Sequence, residues 1–173
     1  LTLRPEFTAS VVRAFIANGE LSQILPQKFF SYGPLFRYER PQKGRQRQFH
    51  QINFELIGVN DFFGDVEIIL LASHILQELG ILEKTELEIN SLGCLDSRNK
   101  YQQALMSYFT KYKADLSSDS LLRLDKNPLR ILDSKDEKDQ EILLDAPIIS
   151  DFYEDNAAKN LEQILEMLEK MKV

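Results

Sequence analysis

Two periods of apolar residues run along this chain, and the dominant period changes near its middle. Between residues 8 and 18, Val11, Val12, Phe15 and Ile16 recur at helical spacing, with Thr8 placed to cap the helix and Gly19 to stop it. Leu1-Thr2-Leu3 ahead of it alternates like a strand, and strand then helix is the expected opening. Residues 29–39 and 48–57 are rich in aromatic and branched side chains and flank the polar loop RPQKGRQR, which reads as a long hairpin. Asp65 and Glu67 sit where a helix start favours negative charge, and that helix continues to Leu79 before Gly80 ends it. TELEINS, residues 85–91, alternates as a half-exposed strand.

From Asp96 onward the period is helical. Tyr101, Leu105, Tyr108 or Phe109, and Tyr112 share one side, the segment NPLRIL at 127–132 interrupts, and two further helices follow. Ala157, Ala158, Leu161, Ile164, Leu165, Leu168 and Met171 form the last stripe, a core or interface face with Asn156 as its expected cap. The expectation is an α+β chain, with a domain of strands and helices at 1–92 and a mainly helical region at 93–173, the boundary lying near Gly93. There is no internal repeat. The Leu-Thr-Leu start and the helix running up to Val173 suggest a piece of a longer protein.

Composition narrows the chemistry. With 173 residues and 43% hydrophobic content the chain is long enough to bury a core, and its longest dense apolar run, VEIILLA, is far short of the ~20 residues of a membrane span. A soluble, cytoplasmic protein is expected. Cys94 is the lone cysteine, and with His50 and His74 as the two histidines no metal-ligand spacing can be assembled, so no protein-held metal is expected. Cys94 reads as a small buried residue, His74 as a surface or boundary residue, and His50 as structural. The net charge is −6, yet from Arg37 to Arg47 there are five cations and one carboxylate. An acidic background disfavours general coating of nucleic acid and leaves a specific phosphate as the partner of that loop, although charge runs more often simply face water.

Strand geometry sharpens this. Arg37 and Glu39 fall on one face of the first strand, and Phe49, Gln51, Asn53 and Glu55 on one face of the second, opposite an apolar set of Ile52, Phe54 and Leu56 that reads as core. A face carrying an aromatic, two amides and a carboxylate suits a small polar ligand. Arg37 supplies a planar guanidinium suited to phosphate oxygens, and Arg40, Lys43, Arg45 and Arg47 are placed to close over a polyphosphate.

Phe36-Arg37-Tyr38-Glu39, followed by Arg45-Gln46-Arg47-Gln48-Phe49, resembles the second signature motif of the class II aminoacyl-tRNA synthetases. LRPEFT at 3–8, ERPQKGRQRQFHQ at 39–51 and NPLRILDSK at 127–135 together resemble the bacterial histidyl-tRNA synthetases over essentially the whole chain. That resemblance implies part of a class II antiparallel sheet with flanking helices, then a helical insertion that contacts the tRNA acceptor arm. It further implies that Arg37 is catalytic, holding the ATP α-phosphate and the histidine carboxylate. Glu39 and the Phe49 ring would hold the adenine and Arg45 would meet the γ-phosphate. Glu6, Thr8 and Gln51 would bind the α-amino group of histidine, and Glu55 the imidazole. ATP with Mg²⁺, histidine and the acceptor end of tRNA(His) are the implied ligands, and a homodimer the implied assembly.

Position 7, often Gly in bacterial members, is Phe7, which reads as packing beneath the pocket. The family's first motif, its third motif with a second ATP-binding arginine, and its Arg-Gly-Leu-Asp-Tyr-Tyr signature are not found in these 173 residues, nor is an anticodon-binding domain. On its own the chain is therefore expected to fold at least in part and not to form histidyl-adenylate. Two rival readings are a catalytically silent, histidine-sensing regulatory subunit of ATP phosphoribosyltransferase, and an RNA-binding module using the basic loop.

Overall fold

The computed structural model describes residues 2–19 and 24–173, which divide into two compact units, 1–85 and 86–172. In the first unit, helix α1 spans Thr8–Ala17, strands β1 (Gln27–Phe36) and β2 (Gln48–Ile57) pair antiparallel, and helix α2 spans Phe62–Glu78. β2 and the hairpin are as the alternation predicts. β1 starts at Gln27 and stops at Phe36 rather than covering 29–39, because the backbone turns on itself past Arg37: the Glu39 amide donates to the Arg37 carbonyl (3.0 Å). Gln42 and Arg45 close the loop with reciprocal backbone hydrogen bonds of 3.2 and 2.9 Å, and Gly44 between them takes φ +76°, a conformation that favours glycine.

The register places Phe29 opposite Glu55, Ser31 opposite Asn53, Gly33 opposite Gln51 and Leu35 opposite Phe49. One face of the hairpin therefore carries Leu35, fully buried, with half-buried Phe49, Gln51, Asn53 and Glu55. α1 and the segment before it lie on that face. Phe15 meets Phe29 edge-on at 6.3 Å, and buried Phe7 lies under Gly33, so the packing role expected for Phe7 holds. A Cβ on Gly33 would come within 2.8 Å of the Arg4 guanidinium, which shows how closely the leading segment crosses the strand. Along the outer edge of β1 the Phe36 amide donates to the Arg4 carbonyl (2.9 Å), yet Thr2 and Leu3 form no strand, and Leu1 lies outside the described residues.

Several expectations here need correction. Thr8 is the first helical residue and not the cap. Phe7 holds the cap position without a side-chain bond, and the Glu6 carboxylate accepts from the Ala9 amide (3.0 and 3.2 Å) in its place. Val12 and Ile16, expected inside, are exposed. The face of Ile52, Phe54 and Leu56 is only partly core. α2 covers the Leu56 end, where Gly64 approaches, but Ile52, Phe30 and Tyr32 are 53%, 74% and 66% exposed. α2 itself starts with Asp61 accepting from the Phe63 amide (3.0 Å) and stops before Gly80, as expected.

The second unit is helical: α3 (Leu95–Lys111), α4 (Ser118–Leu124), a 3-10 turn at Pro128–Ile131, α5 (Glu137–Leu143), a 3-10 turn at Ile149–Phe152, and α6 (Asp155–Met171). Tyr101, Leu105 and Phe109 on one side of α3 pack with Leu116, Leu124 and Ile131. No strand forms at 85–91; alternation needs a neighbouring strand, and here Tyr153 instead donates to the Ser91 carbonyl (2.6 Å) and Asn90 Oδ1 (3.0 Å). α6 is not capped by Asn156, which lies inside the helix; Glu154 precedes it without a side-chain bond. Cys94 is half-buried and serves as the cap of α3, its Sγ accepting from the Ser97 amide at 3.3 Å.

Asp139, fully buried, ties this unit together. It accepts from the Ser117 amide (2.9 Å) and from the hydroxyls of Ser117 (2.7 Å), Ser120 (2.6 Å) and Ser134 (2.5 Å). Burial pushes its carboxyl upward, but the hydrogen bonds outweigh burial and hold it well below the usual range, at about 2.

Candidate nucleotide site on the hairpin

The strand ladder continues one residue past β1, the Arg37 amide donating to the Arg47 carbonyl (2.9 Å), so Arg37 keeps the face of Leu35 and Phe49. Its Nε donates to the Pro5 carbonyl (3.0 Å), and its guanidinium carbon lies 5.0 Å from the centre of the Phe49 ring. A cation held over an aromatic face and tethered to backbone is oriented before any ligand arrives. Glu39 pairs with Arg45 across the loop (3.2 Å). Arg37, Glu39, Arg45 and Phe49, with Gly44, Gln46 and His50, line a recess of about 420 Å³. The four residues that the resemblance assigns to ATP thus come together around one space.

Arg37, which the resemblance also assigns to the histidine carboxylate, borders that recess, whereas the other residues assigned to histidine do not line it. Gln51 and Glu55 lie further along the same strand face, with the Asn53 amide donating to Glu55 Oε1 (2.7 Å). Glu6 is engaged at the start of α1, and Thr8 is exposed on its first turn. Of the loop cations expected to close over a polyphosphate, Arg45 borders the recess. Arg47 turns elsewhere: its Nε donates to the Glu39 carbonyl (3.3 Å) and its guanidinium lies 4.7 Å from the Tyr38 ring centre. His50 is exposed and its ring tilts against Tyr32 on the opposite face, 5.7 Å away, although the residue also borders the recess.

Sequence reasoning overlooked Gly44, Gln46 and the Pro5 carbonyl. The Lys43-Gly44 step signals the turn, but nothing local signals that Pro5, 32 residues away, anchors Arg37. Among the described residues no three His, Cys, Asp or Glu side chains come together as a metal cage, and no helix is long and apolar enough to cross a membrane.

The family model of the tRNA synthetase class II core domain (G, H, P, S and T) matches residues 1–147. Histidine–tRNA ligase of Wolbachia pipientis wMel is 59% identical over 165 residues, which cover 95% of this chain and 40% of that protein. Histidine–tRNA ligase of Orientia tsutsugamushi (strain Boryong) is 56% identical over 169 residues, 98% of this chain and again 40% of the relative. Among solved structures, apo Staphylococcus aureus histidyl-tRNA synthetase matches with a TM-score of 0.73 and 32% identity, over 98% of this chain and 39% of the other. The chain spans about two-fifths of the length of these relatives.

Proposed function

The chain belongs to the class II tRNA synthetase core-domain family, and from that premise we propose that it supplies the ATP-binding hairpin and the histidine-reading strand of a histidine–tRNA ligase. The observation that carries this reading is the recess bordered by Arg37, Glu39, Arg45 and Phe49. Two cations, one carboxylate and one ring around a single space match a nucleotide triphosphate in charge and shape.

In this reading residues 1–92 are part of the catalytic core and 93–173 the helical insertion. Arg37 holds the α-phosphate and the substrate carboxylate. Phe49 and Glu39 take the adenine, and Arg45 the γ-phosphate. Gln51, Glu6 and Thr8 bind the α-amino group, and Glu55 accepts from the imidazole. The histidine carboxylate attacks the α-phosphorus in line and pyrophosphate leaves; the protein's part is to position the reactants and to stabilise the charge that spreads over phosphate oxygens, with Arg37 as its fixed cation. Mg²⁺ would arrive on the triphosphate, since this chain's described residues assemble no cage for it, and would neutralise phosphate charge there. The acceptor end of tRNA(His) then receives the histidine. A homodimer in the cytoplasm is the proposed setting.

Retention of all four recess residues favours this ligase over a histidine-sensing regulatory subunit, which has no chemical need of a polyphosphate cradle. Titration of the chain with Mg·ATP tests it: saturable binding is expected, weakened in both Arg37→Ala and Arg45→Ala. Binding that neither change weakens would sink the assignment.

A further inference from the structure

Between Gln51 and Glu55 on the face of β2 stands Asn53, to which the resemblance gives no task. Strand alternation puts the three side chains on one side, and all three residues are half-buried. Asn53 Nδ2 donates to Glu55 Oε1 at 2.7 Å. An ionised carboxylate only accepts, so the amide must turn its nitrogen toward Glu55. Across the ladder Glu55 stands opposite Phe29, whose ring packs edge-on against Phe15 of α1. That apolar side offers no donor, and the Asn53 amide is the one hydrogen-bond partner of the carboxylate among the described residues. Glu55 Oε2 has none there. Since no buried side-chain oxygen or nitrogen among the described residues lacks a partner, Oε2 is open to solvent or to a ligand. A glutamate left to itself samples many rotamers, and a neighbour that fixes it beforehand spares an incoming ligand the cost of ordering it.

We propose that Asn53 is a positioning residue for reading the substrate side chain: by holding Oε1 of Glu55 it presents Oε2 as a single, fixed acceptor for an imidazole N–H. This rests on the function proposed above, which gives Glu55 the imidazole. Asn53 acts through Glu55 and touches no reacting atom, so it sets the affinity for histidine and leaves ATP binding and the adenylation step alone.

The test is a double-mutant cycle in a protein that contains this chain and shows histidine-dependent pyrophosphate exchange. Asn53→Ala should raise the KM for histidine roughly fivefold, with the KM for ATP and kcat within about twofold of wild type. Asn53→Asp keeps the shape, removes the donor and sets a second carboxylate against Glu55, so it should raise the histidine KM further, about tenfold. In the Glu55→Ala background, Asn53→Ala should change the histidine KM by less than about twofold, because the side chain it positions is gone. A wild-type histidine KM in Asn53→Asp overturns the inference, since only the shape would then matter. So does an equal rise with and without Glu55, or a parallel rise in the KM for ATP, either of which makes Asn53 a support of the strand. The two readings fail differently. If Glu55→Ala leaves the histidine KM unchanged, the assignment of Glu55 to the imidazole falls and the role of Asn53 with it; if Glu55→Ala raises it and neither Asn53 change does, the role of Asn53 alone falls.

Discussion

Residues 86–172 and residues 2–85 dispose of their apolar side chains in opposite ways. In the helical unit Tyr101, Leu105, Phe109, Leu116, Leu124 and Ile131 close around one another, and even the buried carboxylate of Asp139 is fully hydrogen-bonded. In the hairpin unit Phe7, Phe15, Leu35 and Val66 are buried, but Phe30, Tyr32 and Ile52 on the far face of the sheet stay open to solvent. Helices satisfy their own backbone and need only bring one stripe each against near neighbours in sequence. A two-stranded sheet has two faces and outer edges to cover, and two strands cannot do that alone. The same division holds for the candidate site: the unit that closes on itself has a structural hub at its centre, whereas the unit that stays open carries the recess proposed for a nucleotide.

The contrast can be tested by substitution, starting with its strongest side. Phe109→Ala, at a fully buried site in the helical unit, should cost about 3–5 kcal/mol. Amide exchange along α3 under mild urea would report it, and a loss below about 1 kcal/mol would remove the claim that this unit has the tighter core. Arg37→Ala, in the open unit, should act on chemistry and leave stability almost untouched. In a protein that contains this chain and shows histidine-dependent pyrophosphate exchange, the rate should fall roughly 10²- to 10³-fold with an unchanged circular dichroism spectrum.

Asp139 makes the difference pH-dependent. Its carboxyl sits at about 2 when folded against an ordinary 3.8, so the unfolded chain binds the proton more readily. The stabilisation is complete above about pH 4 to 5 and is lost as the pH falls toward 2, amounting to about 2 kcal/mol. Urea midpoints measured on α4 and α5 should drop over that range in wild type, and the drop should flatten in Asp139→Asn. For Glu55→Ala the expected effect is about 1.5 kcal/mol, near tenfold, on histidine affinity alone. Equal weakening of histidine and ATP in calorimetric titrations would instead make Glu55 a support of the strand. The smallest change belongs to Phe30→Ser, within about 0.5 kcal/mol, because its side chain is already in water. A thermal scan showing a large loss would mean that the outer face of the hairpin is covered after all.

The comparison also explains which parts of the molecule could be read from its residues. The limits of β2, the stop of α1 near Gly19 and of α2 before Gly80, and the buried side of α3 at Tyr101, Leu105 and Phe109 were legible because short-range periodicity and glycine conformation decide them. The shared face of Arg37 and Phe49 was legible for the same reason. Alternation misled at 85–91, where a strand pattern has no strand beside it. Capping misled at Thr8 and Asn156, since Glu6 took over one helix start and the other begins without a side-chain cap.

What the residues determine by themselves is therefore local: which segments coil or extend, which side chains share a face, and that a cationic loop joins two strands. Only the tertiary structure could decide that Pro5 fixes Arg37, that Arg45 turns into the recess while Arg47 turns out to Tyr38, and that Asp139 finds three serines spread over 18 positions of chain from Ser117 to Ser134. Long flexible cations and buried carboxylates choose partners by distance in space and by desolvation, and neither quantity is written in the spacing of residues along a chain.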